Sequence, residues 1–199
     1  MVGFGKNISK VRGLAIMMKL MTCLAIMTIL LGTTVTSVAA NPALHTETRT
    51  SKGSVYFAAP LFSQSERDYN VFLAKILEDH GYTVFLPQRD GFLASELENK
   101  TETERTEMIF NKDVSEILKA DILFMVLDGR VPDEGACVEL GIAYANKKRC
   151  YGLMTDCRSA EMGLALNPMI SGCFVKIFKD YDGAKVIEEL KKFLTENEL

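Results

Sequence analysis

The stretch ADILFMVLDGRVPDEGACVELGIAYANKK, residues 120–148, joins an uninterrupted apolar run to a helical pattern. The run ADILFMVLD is short and continuous, which is typical of a strand that is buried on both faces of a sheet. Gly129 and Pro132 then mark a turn, and small and apolar residues follow at helical spacing. A buried strand followed at once by a helix predicts a parallel sheet covered by helices.

The same alternation of strand and helix continues along residues 53–199. A capping box at Ser63 and Glu66 predicts a helix that runs through Asp79 and ends at Gly81. The first strand, GSVYFAAPLF, precedes this helix, and the second strand, YTVFLP, follows it. A long polar loop at residues 88–104 then leads to a helix at residues 104–119, to the third strand, ADILFMVLD, and to the helix of the opening stretch. The fourth and fifth strands are CYGLMTD and CFVKIF, and the last helix is DGAKVIEELKKFLTENE. These elements predict an α/β fold, a single flavodoxin-like domain with a doubly wound, five-stranded parallel sheet in the order 2-1-3-4-5.

The first forty residues differ in composition from the rest of the chain. Basic residues precede the apolar run MTCLAIMTILLG, and the small residues VAA follow at positions 38–40. This pattern predicts a signal peptide at residues 1–40 with cleavage before Asn41, a polar linker at residues 41–52 and an exported protein, either periplasmic or secreted. An uncleaved N-terminal membrane anchor is the alternative, and a start at Met18 would give a more regular signal sequence.

The composition of the chain excludes several classes of protein. Of the 199 residues, 48% are hydrophobic and 25% are charged, and the formal net charge of −3 argues against binding to a nucleic-acid polymer. The motifs GxGxxG, GxxxxGK and GxSxG are absent, and no cysteine or histidine spacing suits a metal, so we expect no metal and no cofactor. Apolar neighbours predict buried thiols at Cys137 and Cys150, and export would permit a disulfide between Cys157 and Cys173.

Glu139 is the unusual residue of the opening stretch. Its neighbours three and four positions away are Gly135, Ala136, Ile142 and Ala143, and no lysine or arginine lies within that reach. A solvated helix face is the simplest interpretation. Small and apolar neighbours instead predict close packing, and a buried carboxylate needs hydrogen-bond partners or takes up a proton. The second interpretation is therefore a functional carboxylate beside a ligand cleft.

Further carboxylates are predicted close to this helix. Asp133 precedes the helix and predicts its N-cap, and Asp113 lies on the helix before it in the chain. Asp128 and Gly129 end a strand, and ligands of doubly wound sheets bind beyond the carboxyl ends of the strands, so we expect both to line the cleft. Two or three carboxylates facing one cleft suit glycosyl transfer, because one attacks the anomeric carbon while another handles the proton of the leaving group.

Four segments of the chain resemble one known family. YFAAPLF (56–62), LPQRD (86–90), NKD (111–113) and the motif D-x-G-x-x-x-E-L-G-x-A-x-A (133–145) resemble the nucleoside 2-deoxyribosyltransferases. The last motif is the most specific, and the resemblance covers about residues 54–199. It implies transfer of a 2′-deoxyribosyl group between nucleobases, with retention of configuration through a glutamyl-deoxyribosyl intermediate. It also implies deoxynucleosides and free nucleobases as partners, and a homo-oligomer with composite sites.

The resemblance assigns catalytic roles to four residues. It implies that Glu139 is the nucleophile, that Asp133 serves the base or its protonation, and that Asp113 holds the base or donates the proton. Tyr56 would orient the Glu139 carboxylate through its hydroxyl. A place in the strand core is the alternative interpretation of Tyr56.

Substrate contacts are implied at three further positions. Gln88 would touch the base, and Asn167 would reach the sugar 5′-hydroxyl in a neighbouring subunit. Gly135 would leave room for the sugar ring to approach the helix. Structural interpretations stay open for the first two residues, because Gln88 follows a proline at a strand end and Asn167 precedes a proline, as in many turns.

Three alternative functions stay open. Relatives that hydrolyse deoxynucleoside 5′-monophosphates carry a phosphate-holding loop after the first strand, and Ser63, Ser65 and Arg67 occupy that place here. Hydrolysis of deoxynucleosides or of their 5′-monophosphates is therefore the first alternative. An exported, non-catalytic nucleoside-binding module is the second. A TIR-like module that cleaves NAD or mediates assembly is the third, and it has no matching motif beyond a glutamate in a cleft.

Overall fold

One five-stranded sheet forms the centre of the computed structural model, which describes residues 51–156 and 166–199. All four strand pairs are parallel. The strands are β1 Ser54–Ala58, β2 Thr83–Phe85, β3 Ile122–Val126, β4 Arg149–Met154 and β5 Lys176–Lys179. They lie in the order β2-β1-β3-β4-β5, so the predicted single flavodoxin-like α/β domain with strand order 2-1-3-4-5 is confirmed.

Four long helices and three short ones connect or follow these strands within the described ranges. The long helices are α1 Gln64–Asp79, α4 Glu102–Lys119, α5 Glu134–Ala145 and α7 Gly183–Glu196. The short helices are α2 Pro87–Asp90, α3 Ala94–Leu97 and α6 Pro168–Ser171. The predicted Ser63–Glu66 capping box opens α1, and both of its reciprocal hydrogen bonds are present.

Alternate residues of each strand point to opposite faces of the sheet, and each face has its own core. Val55 and Phe57 of β1 pack in a cluster that contains residues of α1 and α7. Tyr56 and Ala58 pack in the second cluster, which contains residues of α4 and α5. Tyr56 therefore faces the helix pair that carries Asp113 and Glu139.

The first strand is shorter than predicted, because it spans Ser54–Ala58 rather than residues 53–62. Pro60 follows closely, and proline has no N–H to donate to a neighbouring strand. The last strand is also displaced, since it begins at Lys176 and not at Cys173. There the chain is still closing the turn after α6, and the N–H of Cys173 donates to the carbonyl of Ile170.

The prediction of an uninterrupted loop at residues 88–104 is wrong. The segment contains most of α2, all of α3 and the beginning of α4. Local hydrogen bonds explain the difference, because the Asp90 carboxylate accepts from the N–H of Leu86 and the Glu96 carboxylate accepts from the N–H of Leu93. A second capping box, formed by Thr101 and Glu104, starts α4 two residues earlier than predicted.

Some sequence predictions lie outside the described residues. They include the signal peptide or anchor at residues 1–40, nearly all of the linker at residues 41–52, and the pairing of Cys157 with Cys173, since Cys157 is not described. Within residues 51–156 and 166–199, no helix has both the length and the apolar character needed to span a membrane.

Candidate active site

A hydrogen bond between β1 and α5 forms the centre of the candidate site. The hydroxyl of Tyr56 donates to Oε1 of Glu139 at 2.6 Å. Tyr56 has 0% of its surface exposed, so its ring is fixed by the core and its hydroxyl reaches out to the helix. A bond of this length to a carboxylate belongs to the strong, charge-assisted class. The sequence prediction that Tyr56 orients Glu139 therefore has a matching contact.

Glu139 also lines a groove of about 510 Å³ between α4 and α5. Most of the lining is apolar and comes from Ile109, Phe110, Val114, Ile117, Val138 and Ile142. The pKa of the Glu139 carboxyl is raised to about 7: burial is the main cause, the Tyr56 hydrogen bond lowers the pKa, and the charges of Asp113 and Asp133 raise it. With a pKa of about 7, a large fraction of Glu139 is ionised at neutral pH, as a nucleophilic carboxylate requires.

Asp113 lines the same α4–α5 groove from α4. Burial raises the pKa of its carboxyl, the neighbouring Lys112 lowers it, and Glu116 raises it. A carboxyl whose pKa is raised holds its proton more firmly than an exposed aspartate does. Asp113 is thus chemically suited to pass a proton to a group bound in the groove.

Asp133 is the N-cap of α5, as the sequence predicts. Its Oδ2 accepts from the N–H of Ala136 at 2.9 Å. The charge of Asp133 raises the pKa of Glu139, so the cap lies close enough to affect the site electrostatically. A β-carbon added at Gly135 would lie 3.1 Å from Oδ2 of Asp133, so a side chain at Gly135 would crowd the cap.

The role of Asp133 as a helix cap can be tested by substitution. Asp133→Ala removes the cap and should lower the free energy of unfolding by about 1 kcal/mol, whereas Asp133→Asn keeps an acceptor oxygen and should lower it by only a few tenths. Urea unfolding measures both values. Asp182, which caps α7 through the N–H of Ala184, provides the matched control Asp182→Ala. An equal loss of stability in Asp133→Asn and Asp133→Ala would contradict the capping role.

Gln88 lies in α2, and its side-chain amide is bonded on both sides. Its Oε1 accepts from Nδ2 of Asn70 at 3.0 Å, and its Nε2 donates to the carbonyl of Arg67 at 2.8 Å. Asn70 is 1% exposed and also donates to the carbonyl of Pro60 at 2.8 Å. This network joins α1 to the ends of β1 and β2. Each of the Gln88 amide atoms keeps one further hydrogen-bonding position for a base.

Asp128 and Gly129 line a second cleft, of about 380 Å³, at the carboxyl ends of β1, β3 and β4. Asp128 accepts from the N–H of Thr155 at 2.5 Å, from the hydroxyl of Thr155 at 2.6 Å and from the N–H of Asp156 at 2.9 Å. Its carboxylate thus holds the ends of β3 and β4 together. Gly129 has a φ of +133°, which other residues rarely adopt, so a glycine is needed at this turn.

Asn167 lies on the surface at the start of α6. Its Oδ1 accepts from the N–H of Met169 at 2.9 Å, which makes it the N-cap of this short helix. The contact agrees with the turn interpretation of Asn167. A role toward the sugar of a neighbouring subunit stays a prediction.

The candidate residues thus divide between two clefts. Glu139, Asp113 and Gly135 line the α4–α5 groove, whereas Asp128 and Gly129 line the strand-end cleft. Sequence reasoning missed Asn70, which donates to Gln88, Phe85, which stacks on Tyr56, and Lys112, whose charge lowers the pKa of Asp113. A polar residue within the apolar repeat of α1 was the available signal for Asn70. No three acidic, histidine or cysteine side chains are grouped for a metal ion in the described part of the chain.

Comparison with known proteins gives consistent results. The family model for nucleoside 2-deoxyribosyltransferase matches residues 55–184. A conserved protein from Enterococcus faecalis V583 is 24% identical, with 74% of this chain and 98% of that chain covered and a TM-score of 0.59. A 2-deoxyribosyltransferase from the psychrotolerant bacterium Bacillus psychrosaccharolyticus is 27% identical, with 67% and 95% covered and a TM-score of 0.54. No curated protein matches the chain.

The fold and the site define a class of flavodoxin-like α/β proteins with a carboxylate-lined groove on one face of the sheet. Within that class, the chain belongs to the nucleoside 2-deoxyribosyltransferase family, because the family model covers most of the described domain. The resemblance stated from the sequence motifs is therefore confirmed, and the protein is an enzyme of the deoxyribosyltransferase type.

Proposed function

We propose that this enzyme transfers a 2′-deoxyribosyl group from one nucleobase to another by double displacement, with Glu139 as the nucleophile. The observation that carries the proposal is the Glu139 carboxylate, which Tyr56 holds at 2.6 Å beside an apolar groove. Family membership supports the reaction class, and the relative from Bacillus psychrosaccharolyticus is described as a 2-deoxyribosyltransferase.

The first step forms the covalent intermediate. The Tyr56 hydroxyl donates a hydrogen bond to Oε1 of Glu139, so the second carboxylate oxygen, Oε2, attacks C1′ of the deoxynucleoside. The bond between C1′ and the base nitrogen breaks, its electron pair leaves with the base, and Asp113 or Asp133 supplies a proton to that base. The developing oxocarbenium ion is stabilised by the adjacent negative charge.

The second step reverses the first with a different base. A ring nitrogen of the acceptor base attacks C1′, the ester bond to Glu139 breaks, and its electron pair restores the carboxylate. The acceptor's N–H proton returns to the acid that was deprotonated in the first step. Two inversions at C1′ give net retention, as in retaining glycosidases.

The other candidate residues take supporting roles in this proposal. Gln88 offers its remaining amide positions to the base, and the absence of a side chain at Gly135 lets the sugar ring approach α5. Asp128 and Gly129 shape the strand-end cleft. None of these roles requires a metal or an organic cofactor, because the carboxylates supply both the nucleophile and the acid.

The enzyme is proposed to be a homo-oligomer in which Asn167 of a neighbouring subunit reaches the sugar 5′-hydroxyl. Exposed apolar side chains in the lining of the α4–α5 groove support association, since Ile109, Phe110 and Val138 are 43%, 56% and 57% exposed. Sedimentation analysis measures the mass of the active species. A fully active monomer would contradict the composite site.

Hydrolysis of the N-glycosidic bond is the second candidate, and one observation bears on its substrate. In the loop before α1, the chain's own Glu66 accepts through Oε2 from the N–H groups of Phe62 and Ser63 at 3.0 and 2.6 Å. The Arg67 guanidinium donates to the carbonyls of Leu61 and Phe62. The donors that could hold a 5′-phosphate in this loop are thus already bonded within the chain. This bonding favours nucleosides over nucleoside 5′-monophosphates as substrates, for transfer and for hydrolysis alike.

One incubation distinguishes these functions. The purified protein is mixed with deoxyadenosine and cytosine, and the products are separated by chromatography. Transfer yields deoxycytidine and adenine, hydrolysis yields adenine and free deoxyribose, and a non-catalytic binding module yields neither. A parallel incubation with deoxyadenosine 5′-monophosphate should react more slowly. The absence of any product from both donors would refute the enzymatic proposal.

A further inference from the structure

We propose that Phe85 and Lys112 are positioning residues, which together form a stack behind Tyr56 that fixes its hydroxyl on Glu139. The inference rests on the proposed function, because it concerns the same nucleophile. Neither residue touches Glu139 directly, and both act through the ring of Tyr56. The stack consists of Tyr56, Phe85 and Lys112, taken from β1, β2 and α4 in that order.

The first layer of the stack is aromatic. The rings of Tyr56 and Phe85 lie 5.6 Å apart between centroids with an interplanar angle of 19°. Parallel pairing of β1 with β2 places these two residues opposite each other in the register. Offset stacking of this kind is attractive beyond the area that it buries. Because a phenol oxygen lies on the long axis of its ring, support for the ring is also support for the direction of the hydroxyl.

The second layer is a cation above the ring of Phe85. Nζ of Lys112 lies 5.5 Å from the centroid of Phe85, within the range of a cation–π contact. The same ammonium is held by Glu116, whose Oε1 lies 3.2 Å away. The Phe85 ring therefore contacts both the ring of Tyr56 and the anchored ammonium of Lys112. Both contacts favour the observed orientation of the Phe85 ring.

The charges around Glu139 explain why this support is needed. Asp113 faces Glu139 from α4, and Asp133 faces it from the start of α5, so both charged neighbours on these helices are anions. From β1 the facing group is the hydroxyl of Tyr56, and its hydrogen bond favours the ionised form of Glu139. A shift of the Tyr56 ring would remove that stabilisation and leave the repulsion.

The expected consequence is a change in the pH profile. The Tyr56 hydrogen bond lowers the pKa of Glu139, so loss of the stack should raise that pKa. The nucleophile must be ionised, and therefore the acid limb of kcat/KM should move to higher pH by about half a unit to one unit. Activity should fall more at pH 6 than at pH 9. A purely structural defect would lower activity equally at both values.

The variants Phe85→Leu and Lys112→Met test the two layers separately. Lys112→Arg keeps a cation above the ring and should keep the wild-type profile. The control is Phe57→Leu, because Phe57 is paired with Phe124 at 5.6 Å on the opposite face of the sheet, away from the site. Circular dichroism verifies the fold of each variant, and the partly exposed Lys112 provides a test even if Phe85→Leu does not fold.

A titration of the Glu139 side chain by carboxyl ¹³C NMR measures the same effect without a substrate. A higher midpoint in Phe85→Leu or Lys112→Met, with none in Lys112→Arg or Phe57→Leu, would support the stack. An unchanged midpoint in every folded variant would overturn it. Shifted midpoints in a protein that converts no nucleoside would refute the proposed function and leave the stack standing, so the two failures can be told apart.

Discussion

Replacing Glu139 with alanine or glutamine is expected to lower kcat by at least about 10³-fold, because the proposed covalent step has no other nucleophile. Glu139→Gln is the more informative variant, since the glutamine side chain keeps the shape of the carboxylate and an oxygen that can accept the hydrogen bond of the Tyr56 hydroxyl. The loss of kcat is measured by incubating each variant with deoxyadenosine and cytosine and quantifying the products by chromatography.

The matched control for this change is Glu134→Gln. Glu134 is an exposed glutamate at the start of the same helix, so it tests whether removing any charge from α5 is sufficient. We expect the control to keep nearly all activity. When the wild-type protein is incubated with deoxyadenosine and then quenched, mass spectrometry should detect a deoxyribosyl adduct on Glu139. Full activity in Glu139→Ala would show that the nucleophile is misassigned.

Tyr56→Phe should have the second-largest effect, a fall in kcat/KM of about 10- to 100-fold at pH 6 and a smaller one at pH 9. The variant removes one hydroxyl from a fully buried ring and leaves the Glu139 carboxylate without its 2.6 Å donor. Since that bond lowers the pKa of Glu139, the pKa rises above about 7 and a smaller fraction is ionised at pH 6. Burial and the nearby charge of Glu139 raise the pKa of Tyr56 itself, so the wild-type hydroxyl stays a donor across this range.

Tyr151→Phe is the control for the loss of a buried tyrosine hydroxyl. Tyr151 is 4% exposed and belongs to the core cluster on the other face of the sheet. Removal of the Tyr151 hydroxyl should leave the shape of the pH profile of kcat/KM unchanged. Rates measured from pH 5.5 to 9.5 compare the variants. A Tyr56→Phe profile parallel to that of the wild type would contradict an orienting role.

The strand order could be predicted because the buried strands are continuous apolar runs and right-handed crossovers leave few topologies. The strand ends were less predictable. Hydrophobicity continues through Leu61 and Phe62, but the hydrogen-bonded ladder stops at Ala58. The short helices α2 and α3 were missed because they depend on single carboxylates, Asp90 and Glu96, which bond to nearby N–H groups. Hydrophobic periodicity does not record such bonds.

The site was predictable only in part. Spacing identified Glu139 as a carboxylate among small neighbours, and family resemblance added Tyr56, which no local pattern distinguishes from the strand core. The bonding of Gln88 to Asn70 depends on the approach of α1 to the end of β2, which a sequence does not encode locally. The division of the candidates between two clefts likewise depends on how helices pack over the sheet, and so does the support of Tyr56 by Phe85.

The partly buried carboxylate of Glu139 has a consequence for engineering. Its pKa of about 7 in the folded protein lies above the ordinary value of 4.5. The carboxyl therefore favours the folded state fully below pH 4.5, and this contribution is lost as the pH rises through about 7. Above neutrality, a neutral residue that still accepts from the Tyr56 hydroxyl, such as glutamine, should make the domain more heat-resistant while removing the proposed nucleophile. Directed evolution for heat resistance alone would therefore favour inactive variants, so each round of selection needs a screen for turnover.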